Sequence, residues 1–491
     1  MKRRLTRRSL VQNGLIAAGG AAVSSFAPGT CAFAQNSAPL TATWISTTEK
    51  TPWQTQKIAS PGWRWDTLDV VLKTDAVAQT IDGFGGCFNE LGWTSLNALA
   101  AEDRDAVLKE MFAPSVGANF TICRMPVGAN DFSRDWYSYD ETPGDLSLEH
   151  FSIANDLETL VPFIKGAQRY NPGLRLWASP WSPPSWMKTN KHYAEAPSRP
   201  GAPANGLKAD QVGKEGTDLF IQEEPYFAAY AKYFGRFIEE YRKQGIPIGM
   251  VMPQNEFNSA QPFPSCTWTP QGLARFLRHL GPEMDRRKVE VFFGTLERGD
   301  VKLLGDVMSD PSAGKWIKGV GVQWAGKGAV LDVHHQYPGL TIYQSEQECG
   351  DGKNSWSYAS YCWELMKHYF RSGANGYMYW NLSLQEGGES RWGWKQNSLV
   401  TVDMQMKKYR WNHEYYVLKH VSHFVMPGAK RLLTEGTEDN ALGFLNPDGS
   451  VVVVMRNEAG FERPVRVTVD GRSLVSVMEP DSLNTVMVGK A

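Results

Sequence analysis

Ile246-Pro-Ile-Gly-Met-Val-Met252-Pro-Gln254-Asn255-Glu256-Phe257 runs from an apolar segment into two amides and a carboxylate. A short apolar run bounded by Gly and Pro reads as a strand buried on both faces. Glu256 stands just past its end. The pattern recurs at Leu340–Tyr343, which leads through Gln-Ser into Glu346. Two strands that each deliver an acid at the carboxyl end are the repeating element from which the rest of the chain can be read.

Working outward, six more runs of this kind occur: Thr80–Phe84, Phe120–Met125, Leu174–Ala178, Val289–Phe293, Gly319–Gln323 and Gly376–Trp380. Helical patterns lie between them. Pro225–Gln244 repeats apolar residues at helical spacing (Phe227, Tyr230, Ala231, Phe234, Phe237, Ile238, Tyr241) and starts on Glu223-Glu224-Pro225, good helix-start chemistry; Gln271–Leu280 is another. Eight strands alternating with crossovers predict a (β/α)8 barrel with long loops. In Gln79-Thr-Ile-Asp-Gly83-Phe84-Gly85-Gly86 the glycines suggest a tight turn at the strand's end. Residues 197–216 read as an irregular loop after the third strand.

After about residue 412 the pattern changes. Arg431–Thr434, Ala441–Leu445, Val451–Met455, Val465–Val469 and Leu474–Met478 are short runs joined by turns such as Asn446-Pro-Asp-Gly449 and Asp470-Gly471. These are hairpin signals. The fold class is therefore α/β: a (β/α)8 TIM barrel over 79–411 with an accessory antiparallel β-sandwich over 412–491. Residues 35–78, strand-like at Leu68–Leu72, are too short to fold alone and join the sandwich. No internal repeat is visible.

The first 34 residues stand apart. Lys2, Arg3 and Arg4 precede Arg7-Arg8-Ser9-Leu10-Val11, an apolar stretch from Gly14 to Val23, and Ala32-Phe33-Ala34. This is a signal peptide with a cleavage motif, of the twin-arginine kind, and it predicts a periplasmic or secreted protein. The apolar run is too short and too interrupted for a membrane span. Removing it takes away five basic residues and no acid, leaving 46 bases against 52 acids. A mildly acidic surface argues against a nucleic-acid partner. Cys87, Cys123, Cys266, Cys349 and Cys362 are odd in number and lack metal-ligand spacing, so buried free thiols are expected. His334-His335 is too little for a metal site, and no cofactor is implied.

Two carboxylates at one barrel mouth supply what cleavage of a glycosidic bond needs: one to protonate the leaving oxygen, the other to attack or activate the anomeric carbon. Glu256 suits the acid/base role. Asn255 before it suits a contact with a sugar 2-hydroxyl. Glu346 suits the nucleophile, although Glu348 shares its face if the strand continues. Arg124, in Thr121-Ile-Cys-Arg-Met-Pro126, ends a strand where it can keep a carboxylate ionised. Asp131, in Asn130-Asp-Phe-Ser133, can accept sugar hydroxyls. Trp181, in Ala178-Ser-Pro-Trp181-Ser-Pro-Pro-Ser-Trp186, sits on Pro-fixed backbone, and Trp324 and Trp380 end two more strands. Flat aromatic faces suit the C–H faces of sugar rings; filling the core of a large barrel is the other use for 18 Trp. Ser179 and Ser182 lack a nucleophile elbow. Gly83, Gly85 and Gly86 lack the Lys-Ser/Thr of a phosphate loop.

Together these motifs resemble glycoside hydrolase family 30, nearest its glucosylceramidase-type branch, from about Gln79 to the C-terminus. The resemblance rests on Asp82-Gly-Phe-Gly-Gly, Arg124-x-Pro with Asp131-Phe-Ser, the Ala178–Trp186 segment with Lys188-Thr-Asn, Gln254-Asn-Glu, Ser345-Glu346 and Trp380-Asn381-Leu. It implies Glu256 as acid/base on strand four and Glu346, rather than Glu348, as nucleophile on strand seven. It implies Asp131, Trp181 and Trp380 around the −1 sugar, Asn255 on the 2-hydroxyl and Arg124 supporting the nucleophile. Where glucosylceramidases carry His and Tyr beside the strand-six Trp, this chain has Gln323 and Ala325, and Phe257 replaces a common Pro. The expected activity is a retaining β-glycosidase on β-linked glucosides or glucans. Endo-β-1,6-glucanase, xylanase or β-fucosidase specificity is the alternative, and a non-catalytic carbohydrate-binding protein the remaining class.

Overall fold

The computed structural model describes residues 41–58 and 66–489. The expected signal segment, 1–34, lies outside them. Eight parallel strands close into a barrel in chain order: Gly83–Cys87, Ile122–Pro126, Arg175–Ser179, Met250–Val251, Glu290–Leu296, Ile317–Gln323, Thr341–Glu346 and Gly376–Asn381. Seven fall where the apolar runs place them; the first starts three residues later than Thr80–Phe84, because Thr80 ends a strand of the other sheet, Leu68–Thr80. The interior layer near the amino ends is Ile122, Trp177, Met250, Met252, Phe292, Tyr343 and Met378, all buried, so the barrel is filled by side chains rather than hollow.

The glycines of the first strand do not form a turn beyond it, as the sequence suggested; they are the strand itself. A Cβ on Gly85 would come 1.8 Å from the carbonyl oxygen of Ile122 on the next strand. Close approach of two backbones is the constraint there. Register shifts gather toward the carboxyl ends, between Phe293 and Leu296, Gln344 and Glu346, and Tyr379 and Asn381. Such irregularities re-aim side chains at a barrel rim. The seventh strand ends on Glu346, which pairs directly with Gln323 across the ladder.

The helices cover the outside. Glu224–Lys243 buries Phe227, Tyr230, Phe234, Phe237, Ile238 and Tyr241 on one stripe, with Pro225 in its first turn where a missing N–H costs nothing. Pro270–Asp285 starts on Thr269, whose side chain accepts from the Gly272 N–H. A three-stranded sheet (Ser383–Gln385, Val400–Asp403, Lys408–Trp411) and a helix, His413–Ser422, follow the barrel; the sequence reading found neither.

The remaining strands form one nine-stranded sheet. Its order is Arg472–Met478, Arg463–Val469, Leu68–Thr80, Lys430–Glu435, Ala441–Leu445, Val451–Asn457, Ser482–Val488, Ala42–Thr47 and Gln54–Gln56. The N-terminal strands thus belong to it, as expected. One pair is parallel, Leu68–Thr80 beside Arg463–Val469, in an otherwise antiparallel sheet. The five-residue run Val451–Met455 is apolar throughout because both faces are covered. Val451, Val453 and Met455 pack into the sheet's own core with Trp44, Val70 and Val486, while Val452 and Val454 pack into the barrel's. His420, buried on the helix between, contacts Thr485 Oγ1 at 2.7 Å and Thr47 Oγ1 at 2.8 Å.

The Cys expectation holds for the described residues: Cys87, Cys123, Cys266, Cys349 and Cys362 are free and buried. No described helix is long and apolar enough to cross a membrane.

Trp44 is fully buried in the sheet core, and its indole N–H donates to Asn484 Oδ1 at 3.1 Å. Trp44→Ala should cost about 3–5 kcal/mol. Denaturant unfolding of the chain checks this; a midpoint equal to wild type would show that the N-terminal strands are not integral.

Candidate active site

Burying a carboxylate without partners is costly, so the donors around each acid define its state. Glu346 is 5% exposed. Its Oε2 accepts from Arg124 Nη1 at 2.7 Å and from Gln323 Nε2 at 3.2 Å, and its Oε1 accepts from the Trp324 indole N–H at 3.0 Å. Burial raises its pKa, and Arg124, Trp324 and Gln323 oppose that rise. Glu256 is 8% exposed and has no cation of its own. Among the described residues its Oε1 accepts only from Gln323 Nε2, at 3.2 Å. Burial, then the charges of Glu297 and Glu346, push it well above the usual carboxylate range. Arg124 bonds Glu346 and not Glu256, so of the two acids Glu256 holds a proton the more tightly.

Gln323 Nε2 therefore lies 3.2 Å from a carboxylate oxygen of each acid. Those two oxygens can be separated by at most twice 3.2 Å. Inverting glycosidases keep their acids ~6.5–9.5 Å apart to admit a water; retaining ones keep them at ~5–5.5 Å. The amide is oriented by its other end: Oε1 accepts from Ser345 Oγ at 2.9 Å. Nε2 also lies 3.2 Å from Asn255 Oδ1, so two hydrogens face three acceptors.

Beneath the acids Arg124 is fully buried and fully engaged. Nη2 donates to Asn255 Oδ1 at 2.6 Å and to Ser179 Oγ at 2.9 Å, and the guanidinium lies 4.4 Å from the Trp181 ring and 5.3 Å from that of Trp380. It does not line the cavity and meets Glu346 from below it. Glu256 and Trp324 both hold left-handed backbones, φ 46° and 49°. Such strain costs about 1–3 kcal/mol per residue and concentrates at functional sites. The Glu256 N–H is anchored on Thr295 Oγ1 at 2.9 Å.

A cavity of 270 Å³ opens over the pair, lined by Asp131, Trp181, Glu256, Trp324, Ala325 and Glu346 among others. Asp131 is buried; burial and the Glu346 charge raise its pKa well above normal. Asp131 Oδ1 and Trp380 Nε1 are both shielded from solvent; the Trp380 indole N–H lowers the proton affinity of Asp131, and Trp380 itself does not line the cavity. Trp181 and Trp380 stack at 5.1 Å. Asn255 Oδ1 is occupied by Arg124, while Nδ2 carries no bond among the described residues. Trp44, Trp268 and Trp363 serve packing instead. Glu348 turns away to Lys327 and Tyr361, at 2.6 and 2.9 Å, so it is no rival to Glu346. A larger apolar cavity of 360 Å³ at the amino ends of the strands, around Pro172, Trp177 and Met250, holds a single carboxylate, Glu290, and lacks this chemistry.

The model of the glycosyl hydrolase family 30 TIM-barrel domain matches residues 81–425, and that of the family 30 beta sandwich domain matches 428–486. The chain belongs to glycosyl hydrolase family 30. It is a retaining O-glycoside hydrolase by class. The lysosomal acid glucosylceramidase of Mus musculus is 28% identical over 445 residues, which cover 84% of this chain and 82% of the relative. An endo-1,6-beta-D-glucanase of Aspergillus fumigatus is 26% identical over 420 residues, 79% and 81% of the two chains. The crystal structure of SrfJ from Salmonella typhimurium superposes with a TM-score of 0.80 at 25% identity, covering 92% of this chain and all of that one.

Two features of this family-30 site escaped the sequence reading. Ser179, dismissed as a nucleophile, is a hydrogen-bond partner of Arg124. Glu297, just past the fifth strand, is a fourth acid lining the cavity, beside Asp131, Glu256 and Glu346. Its placement after the run Val289–Phe293 is the same signal that marked Glu256.

Gln323 lowers the proton affinity of both acids. In Gln323→Leu both limbs of the pH–rate profile should therefore move to higher pH, with kcat/KM down about tenfold or more from the loss of charge-assisted hydrogen bonds. Limbs at their wild-type positions would contradict the bridge.

Proposed function

We propose that this family-30 enzyme is secreted or periplasmic and hydrolyses β-linked glucosides or glucans in two steps, with Glu346 as nucleophile and Glu256 as acid/base. In the first step a Glu346 oxygen bonds to the anomeric carbon as the bond to the leaving oxygen breaks, and Glu256 gives its proton to that oxygen. In the second step Glu256 takes a proton from water, the water oxygen bonds to the anomeric carbon, and Glu346 is released as a carboxylate. The reading needs no cofactor. The observation that carries it is the single amide nitrogen 3.2 Å from both acids, which supports the close spacing of a retaining pair. The assignment of roles rests on Arg124: the acid it touches is ionised, the other retains the proton. The export reading is supported by the N-terminal sequence, Arg7-Arg8 and the following apolar stretch.

A second specificity, endo-β-1,6-glucanase action, is favoured by one observation besides the fungal relative. Ala325 lines the cavity where glucosylceramidases carry Tyr, so the rim is more open on that side.

Glu346→Gln should lower kcat on the order of 10⁴-fold or more while leaving the fold intact. Glu256→Gln should lose about 10²–10⁴-fold on glycosides with poor leaving groups, lose less on activated aryl glycosides, and lose the basic limb of the pH profile. Proton NMR of wild-type hydrolysis should show the β anomer first; early α product would refute the two-step reading.

A further inference from the structure

A buried carboxylate with a bare oxygen is costly, and the cost is relieved when a donor arrives. Glu297 lines the cavity at 6% exposure, so a ligand that fills the cavity must either supply a donor to it or displace its water. Ser259 Oγ and Arg298 Nη1 both donate to its Oε1, and Oε2 has no hydrogen-bond partner among the described residues. Arg298 is held in turn by Glu215, donating from Nε at 2.9 Å and Nη2 at 3.1 Å. Glu297 bonds neither catalytic acid. It stands on the acid/base side of the cavity: Ser259, its donor, is locked to Glu256 by a turn in which Ser259 N donates to the Glu256 carbonyl at 2.8 Å. The leaving group departs on that side, because Glu256 is the acid that protonates it.

Arg199 and Trp394 supply another part of the cavity wall. The Arg199 guanidinium lies 3.8 Å from the Trp394 ring and has no carboxylate partner among the described residues. A flat stacked face with free N–H groups thus shares the cavity with a carboxylate that lacks a donor. A polyhydroxylated ring satisfies both: its hydroxyls donate to Glu297 and accept from Arg199, and its C–H face lies on the aromatic plane. A hydrocarbon chain satisfies neither and would take water from the free Glu297 oxygen without supplying a donor.

We infer that Glu297, with Arg199 on Trp394, forms a subsite for a second sugar on the leaving-group side, so that the natural leaving group is a saccharide rather than a lipid. This rests on the roles proposed for Glu256 and Glu346. The test compares kcat/KM for the best hydrolysed of the β-1,3-, β-1,4- and β-1,6-linked glucobioses with that for an aryl β-glucoside, which carries no second sugar. In Glu297→Gln and, on the exposed loop, Arg199→Ala, the ratio of the two should fall, about tenfold or more for the former. A ratio equal to wild type in both variants, with either substrate affected alike, overturns the subsite. Turnover of the aryl β-glucoside by the wild-type protein reads the functional assignment separately.

Discussion

One buried guanidinium organises the site. Arg124 lies under a floor that carries three buried acids, Asp131, Glu256 and Glu346, and it bonds to one of them. A single cation cannot hold three carboxylates ionised in a dry pocket. Its charge opposes the rise that burial imposes on Glu346, while Asp131 and Glu256, which it does not bond, rise well above the usual carboxylate range. In the roles proposed for Glu346 and Glu256, the difference between an attacking group and a proton donor follows from the placement of one side chain. The three tryptophan rings around it and its hydrogen bonds to Ser179 and Asn255 keep it from turning elsewhere.

The barrel provides the geometry for that constraint. Arg124, Ser179, Gln323 and Glu346 lie on four different strands and Glu256 just beyond a fifth, all at the carboxyl ends. Strand register brings them together, and register shifts turn them inward. Gln323 matters most among the second rank. A histidine there would itself titrate; an amide does not, so it links the acids without adding a proton to their exchange. Ala325 beside it lines the same cavity with a small side chain. The cavity there is lined with Glu297, Arg199 and Trp394, polar and aromatic together, a surface suited to sugar more than to hydrocarbon.

Much of this was legible in the sequence. Strands buried on both faces announce themselves as short apolar runs, and two of them end on Glu256 and Glu346. The sheet was legible from its turns, and the N-terminal strands from being unable to fold alone. What was hidden depends on distance along the chain. The Gln323 bridge requires the ends of strands four, six and seven to meet, which no local pattern encodes. Arg199 and Trp394 come from loops far apart in sequence. Glu297 had a local signal and was passed over because two acids already sufficed. The long strand Leu68–Thr80 looked like five residues, since its second half is polar on an exposed side and its pairing slips register against Lys430–Glu435.

The most direct measurement of the central claim is to trap the covalent intermediate. A 2-deoxy-2-fluoro-β-glucoside with a good leaving group slows both steps but the second more, so a glycosyl-enzyme accumulates. Peptide mass spectrometry then reads the labelled residue. The account predicts a label on Glu346, the acid bonded to Arg124. A label on Glu256, or inverted product with no labelled enzyme, would contradict it.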